Sequence, residues 1–254
     1  MLVETDGRII GAVSGEGHTD LLEHAIDKAL ADARTAGTLA KAPLALAREG
    51  TVRAASGLSF PGKVLADASG KRLVVVDSHH HRIVVADWPD QAGHAKVTAI
   101  IGSGTAGRAD GGYGEAQFRR PQGGCVNGNV LWVADTENHL VRRVDLDKQR
   151  VLTVLGTGEQ EFDPEAGQSG KSQALNSPWD VAIAGNRLYV SQAGQHQIWA
   201  MNVMTGMVEV AAGSARESLR DGPAADAALA QPSEMALDPD AGRLYFADSE
   251  TTSV

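Results

Sequence analysis

Two phrases recur in step along this chain, and together they constrain its architecture more than any local pattern does. FPGKVLADASGKRLVVVDSHHHRIVVADW returns as RPQGGCVNGNVLWVADTENHLVRRVDL and again as SPWDVAIAGNRLYVSQAGQHQIWAMNV. A fourth copy begins QPSEMALDPDAGRLYFADSETTSV. Pro61, Pro121, Pro178 and Pro232 stand 60, 57 and 54 residues apart, and His81, His139 and His196 stand 58 and 57 apart. Between copies runs a second shared phrase, with glycine tracts GSG, GTG and AGS. A repeat of this period builds a stack of similar units, because one unit cannot bury both of its apolar faces alone.

Each copy reads as four short strands bounded by turn residues, at 62–67, 72–77, 82–88 and 96–101 in the first. Four short antiparallel strands per unit predict a blade of a β-propeller. The expected fold class is therefore mainly β, a partial propeller of about three and a half blades, at 58–120, 121–177, 178–231 and an incomplete 232–254. The glycine tracts recur at every junction, so they read as connecting loops with positive φ and not as phosphate cradles.

Ahead of the repeats, residues 1–34 read as strand, turn, strand and helix. Asp6-Gly7 supplies a turn dipeptide before Ile9, Ile10 and Val13. Thr19 or Asp20 can cap a helix, with Glu23 completing a capping box. Leu21, Leu22, Ala25, Ile26, Ala29 and Leu30 form its apolar stripe, which is expected to pack on a sheet. Residues 35–57, with Gly37 and Pro43, read as a linker.

Composition narrows the function classes. A net charge of −9, spread along the chain, works against phosphate backbones and anionic membranes. The single cysteine, Cys125, excludes an internal disulfide or a CxxC pair in these residues and reads as a buried strand residue. No stretch approaches the roughly 20 apolar residues of a membrane span, and the first residues lack the basic start of a signal peptide. The expected compartment is the cytoplasm by default.

The tracts ADTENHLVRRVD (134–145) and DSHHHRIVVAD (77–87) resemble the NHL repeat, whose Asn-His-Leu tripeptide is matched by Asn138-His139-Leu140. The phrase at 102–123 resembles the inter-blade connection of one NHL subgroup, and residues 1–30 resemble the last strands and final helix of a thioredoxin-like domain. The order is similar to that of proteins joining a thioredoxin-like domain to an NHL propeller. That resemblance implies a ring of six blades, of which this chain would be a fragment, and it places any redox centre upstream of these residues.

The third copy has Gln192 where others have Asp77, Asp135 and Asp248, and Gln195-His196-Gln197 replaces the tripeptide; the fourth has Thr252 at the histidine position. Such scatter suits a structural hydrogen-bonding role for Asp77, His81, Asp135, Asn138, His139, His196 and Asp248. His79, His80 and His81 are read as one structural and two exposed histidines, because successive strand residues diverge. No catalytic residue, metal ligand or cofactor is expected. The residues that vary beside the prolines, Arg120, Gln122, Trp179, Asp180 and Glu234, are the candidate binding set at the channel rim. Arg119-Arg120 and Arg142-Arg143 are read as solvated pairs.

The reading that follows is a non-catalytic binding propeller for a protein or small-molecule ligand, without nucleic-acid or membrane partners and prone to self-association. A metal-dependent hydrolase or lyase working in the central channel is the first alternative. An RNA-binding propeller is the second, and the acidic balance disfavours it.

Overall fold

A computed structural model describes residues 2–3, 9–11, 19–39, 57–162, 165–238, 240 and 242–250. The Asp6-Gly7 turn, Val13, residues 40–56 of the expected linker and Thr252 lie outside the described residues. The chain divides into two units, Met1–Ala55 and Ser56–Val254.

In the first unit β1 (Leu2–Val3) pairs antiparallel with β2 (Ile9–Gly11), and α1 covers Thr19–Thr35. The helix ends where Gly37 turns left-handed, at φ +68, and the Thr38 and Leu39 amides fold back onto the Ala33 carbonyl. Leu22, Ala25 and Ala29 of the expected apolar stripe are half-buried. No residue of α1 is buried, and Leu21 is 56% exposed.

The second unit is built from four antiparallel sheets. The first runs β3 (Lys63–Asp67), β4 (Arg72–Asp77), β5 (Arg82–Asp87) and β6 (Val97–Ile101). After the short β7 (Gly111–Gly112), the second runs β8 (Gly124–Asn127), β9 (Val130–Asp135), β10 (Leu140–Asp145) and β11 (Arg150–Leu155). The third runs β12 (Pro178–Ala184), β13 (Arg187–Gln192), β14 (Gln197–Asn202) and β15 (Val208–Ala212), and the fourth begins with β16 (Pro232–Asp238) and β17 (Arg243–Asp248). Sequence-adjacent strands pair in order, as hairpin connection dictates. One pairing departs from the repeat: β7, from the junction loop, adds a fifth strand beside β11.

Alternation along each strand sends one set of side chains toward the next sheet. Val74, Val76, Ile83, Val85 and Ile101 of the first sheet thus meet Leu131, Val133, Val144 and Val151 of the second, with Phe118 of the junction between them. Trp132, Val141 and Leu155 meet Val181, Leu188, Val190 and Trp199. Ala182 and Ile198 meet Met235, Leu244 and Phe246. Three apolar layers between four sheets stacked face to face make the partial β-propeller that the repeat predicts.

Lys63 of β3 reaches the carboxylate of Asp180 on β12 and donates to the Met235 carbonyl of β16, 3.2 Å away. The innermost strands of three sheets therefore meet at one ion pair. The junction glycines have a defined task as well. Gly102, Gly156 and Gly213 follow the fourth strands with φ of +106, +103 and +97, and a side chain on any of them would press on the backbone carbonyl of the repeat histidine of its own sheet.

The first sheet has an apolar outer face. Val64, Val75, Val84 and Ile100 form one cross-strand row pointing away from the second sheet. Val64, Val97 and Ile100 are 59%, 52% and 46% exposed. A contiguous apolar face of this kind drives association. The 254-residue chain is expected to self-associate with rising concentration in light scattering. Val64→Lys with Ile100→Glu should return it toward monomer. A wild-type chain that stays monomeric through the concentration series would contradict this.

Candidate functional site

The repeated residues converge where the turn after the second strand of one sheet meets the segment entering the next. After β4, β9 and β13 the chain makes one 3₁₀ turn, at Ser78–His80, Thr136–Asn138 and Ala193–Gln195. The repeat histidine closes each turn in the left-handed conformation, with φ of +53, +51 and +55 at His81, His139 and His196. The three consecutive histidines thus lie on a turn and not on a strand. His79 is exposed and stacks against Phe60, and His80 Nδ1 lies 2.9 Å from Asp77 Oδ2.

Left-handed backbone aims each histidine ring at the following sheet. The Arg120 amide donates to His81 Nδ1 at 3.1 Å, Ser177 to His139 Nδ1 at 3.1 Å, and Gln231 to His196 Nδ1 at 3.2 Å. Each donor stands just before an anchoring proline. The amide one residue earlier is taken by the sheet's own acidic position: Ser59 by Asp77, Arg119 by Asp135 and Ala230 by Asp248, at 2.7–2.8 Å. In the third sheet Gln192 Oε1 does the same for the Asn176 amide at 3.1 Å. The role needs a carbonyl-type oxygen, which is why glutamine can stand in for aspartate.

The second carboxylate oxygen is used differently in each copy. Asp77 Oδ2 takes Arg82 Nε at 2.8 Å. Asp135 Oδ2 takes Asn138 Nδ2 and Arg142 Nη1, both at 2.8 Å. This corrects the solvated reading of Arg142, which is fully buried. Strand alternation turns it away from Arg143 and into Asp135, Asp110 and the carbonyls of Ala109 and Gln117, over the Phe118 ring.

The rim candidates separate by access. Arg120 donates to Glu137 at 3.0 Å and stays half exposed. Gln122 donates to Ser78 Oγ at 3.2 Å, Trp179 is half-buried and Glu234 is exposed. Asp180 is fully buried, its Oδ2 taken by Lys63 and by the Met235 amide at 2.7 Å, so it is a tie between strands and is closed to a rim ligand. Among the described residues no group of three or more His, Cys, Asp or Glu is placed to hold a metal ion.

The sequence pattern of the NHL repeat matches residues 118–144. Human NHL repeat-containing protein 2 is 35% identical over 98% of the chain, and the chicken protein of that name 39% identical over 78%. Protein SUPPRESSOR OF QUENCHING 1, chloroplastic, of Arabidopsis thaliana is 38% identical over the whole chain. The chain carries the NHL repeat. It spans 36%, 30% and 24% of those three proteins. A Bacteroides thetaiotaomicron structural-genomics protein of unknown function shares the fold, with a TM-score of 0.52 and 19% identity over 76% of this chain and 43% of that one.

In the NHL tripeptide of this chain each residue has a separate task. Asn138 bridges Asp135 Oδ2 and the Gly107 carbonyl, His139 accepts from the next sheet, and Leu140 is buried. Burial, reinforced by Arg119, lowers the pKa of His139, and burial with Arg120 lowers that of His81. Both shifts favour the neutral ring, the only form whose Nδ1 can accept. At Asp77 burial raises the pKa, but the Ser59 amide, Arg82 and His80 outweigh it and hold the carboxyl below its usual value. Asp135 is pushed up to about 6 by burial, against the pull of Arg142. Burial also pushes the Cys125 thiol up to about 12, leaving it un-ionised and weakly reactive.

A histidine whose folded pKa lies below its unfolded 6.5 contributes stability above that pH and loses it as pH falls. Asp135 acts in the opposite sense between 3.8 and about 6, so the test compares variants. His139→Ala should cost about 1–3 kcal/mol at neutral pH, for a lost hydrogen bond and an alanine in left-handed backbone. It should also flatten the decline in thermal stability between pH 7 and 5. An unchanged pH slope would show that His139 does not carry the acid sensitivity.

Proposed function

We propose that this propeller is a non-catalytic binding module and that its ligand meets the face carrying Arg120, Gln122, Trp179 and Glu234. The observation that supports this reading is a division of labour. The repeated ionisable side chains are spent on holding each sheet's entrance and on joining it to the sheet before, while the side chains that differ between copies stand on backbone held by those bonds. Phe60, Arg120, Ser177 and Gln231 all precede a proline with φ between +45 and +57. Strained, over-determined backbone beneath variable side chains favours a binding surface. The ligand class is a protein or a small molecule, and Trp179 and Arg120 are its strongest anchors by residue type.

In the whole protein the chain would follow a thioredoxin-like domain, of which residues 1–34 are the end, and would contribute to a six-bladed ring. The net charge of −9 weighs against nucleic acid. No described helix is long and apolar enough to cross a membrane.

Proteins captured by the wild-type chain from its native extract, and then identified, test the reading. They should be lost from the Arg120→Ala, Trp179→Ala, Glu234→Ala variant, at about 1 kcal/mol or more for each anchor. They should be retained by Lys148→Ala, in the turn at the opposite end of the sheets. Capture undiminished by the triple variant would refute the assigned face.

A further inference from the structure

The opposite end of the sheets carries a second feature, between the second and third blades. A groove of about 490 Å³ opens there, walled by Val130, Val154, Ile183 and Met201, with Trp132 and Arg143 on its β9–β10 side. A mostly apolar concavity of a few hundred Å³ with a few converging polar groups is the usual form of a small-molecule site.

Asn127 and Asn186 also line it, and its two strongest donors, Trp132 and Arg143, stand together on one side. Trp132 and Arg143 face each other across the β9–β10 ladder, so their side chains share one face about 5 Å apart at Cβ. The Trp132 Nε1 is buried and has no hydrogen-bond partner among the described residues. Such an orphan donor is rare in folded proteins and asks for an acceptor. The other buried indole nearby, Trp199, has its acceptor in Gln197 Oε1 at 2.8 Å. The nearest carboxylate to Arg143 is Asp145, at 3.6 Å, beyond hydrogen-bonding range. Asp145 also accepts from the Lys148 amide at 3.0 Å and lies 3.7 Å from Lys148 Nζ. The guanidinium therefore keeps most of its donor capacity for a ligand.

We propose that this groove binds an amphipathic carboxylate. The two oxygens are shared between the Arg143 guanidinium and the Trp132 indole N–H, and the aliphatic part lies along Val130, Val154, Ile183 and Met201. A carboxylate fits the donor set because it offers two acceptors and one negative charge to a cation and a neutral N–H side by side. This site is independent of the binding face proposed above, and neither depends on the other.

The probe is decanoate below its micelle concentration, followed on the indole N–H resonances of the ¹⁵N-labelled chain. Four tryptophans give four signals, and Trp132→Phe assigns the relevant one. A saturable downfield shift of the Trp132 signal is expected, with decanol binding at least about tenfold more weakly. Arg143→Gln should weaken decanoate about tenfold or more without changing decanol, and Arg143→Lys, which keeps the charge and loses the fork, should fall between. Unmoved signals from the other tryptophans in each variant report an intact fold. No saturable shift, equal binding of decanol, or decanoate affinity unchanged in both Arg143 variants would overturn the proposal.

Discussion

Two backbone amides ahead of the inner-strand prolines Pro121, Pro178 and Pro232 set the joints of the propeller. A proline has no amide hydrogen of its own. The two preceding residues do, and they sit where one sheet gives way to the next, away from any ladder. At these three, one amide is satisfied by Asp135, Gln192 or Asp248 of its own sheet and the other by the histidine of the sheet before. Left unpaired in the interior, each would cost about 1–3 kcal/mol. The apolar layers supply most of the cohesion, but they are non-directional. The paired amides fix how far and at what angle each sheet follows its predecessor.

Much else follows from that joint. The histidine must be neutral and left-handed, and the junction glycine must lack a side chain because the histidine carbonyl lies against it. The residue before each proline is left-handed as well, with no demand on its side chain. Phenylalanine, arginine, serine and glutamine fill that position in the four copies. Constraint on the backbone and freedom in the side chain occur together there.

The sheets were legible because hydrophobic alternation and turn residues repeat in step. The first sheet lies within a residue of the strands expected at 62–67, 72–77, 82–88 and 96–101. What escaped the sequence was geometry between segments. Nothing in GRADGGYG marks Gly111-Gly112 as a fifth strand, because its partner β11 comes about 40 residues later. Arg142 looks like its neighbour Arg143 until alternation is counted from Asp135, seven residues back, which shares its face through the intervening turn. Asp180 stands beside Trp179 in sequence, but strand alternation turns it inward to Lys63. The stripe on α1 is periodic as the sequence predicts, but periodicity alone does not name the surface it packs on.

The two hydrogen bonds of each joint also differ in when they can form. The acidic residue, or Gln192 in the third sheet, reaches back 18 or 16 residues, to chain already made when it is synthesised. The histidine reaches forward 39, 38 or 35 residues, to chain not yet made. A growing propeller can therefore secure each sheet to its own entrance at once, but its newest histidine waits for the next sheet to arrive. Loop closures of this modest length add little entropic cost as the array lengthens. Each finished sheet thus presents an acceptor whose donor arrives only with the entrance of the one to come.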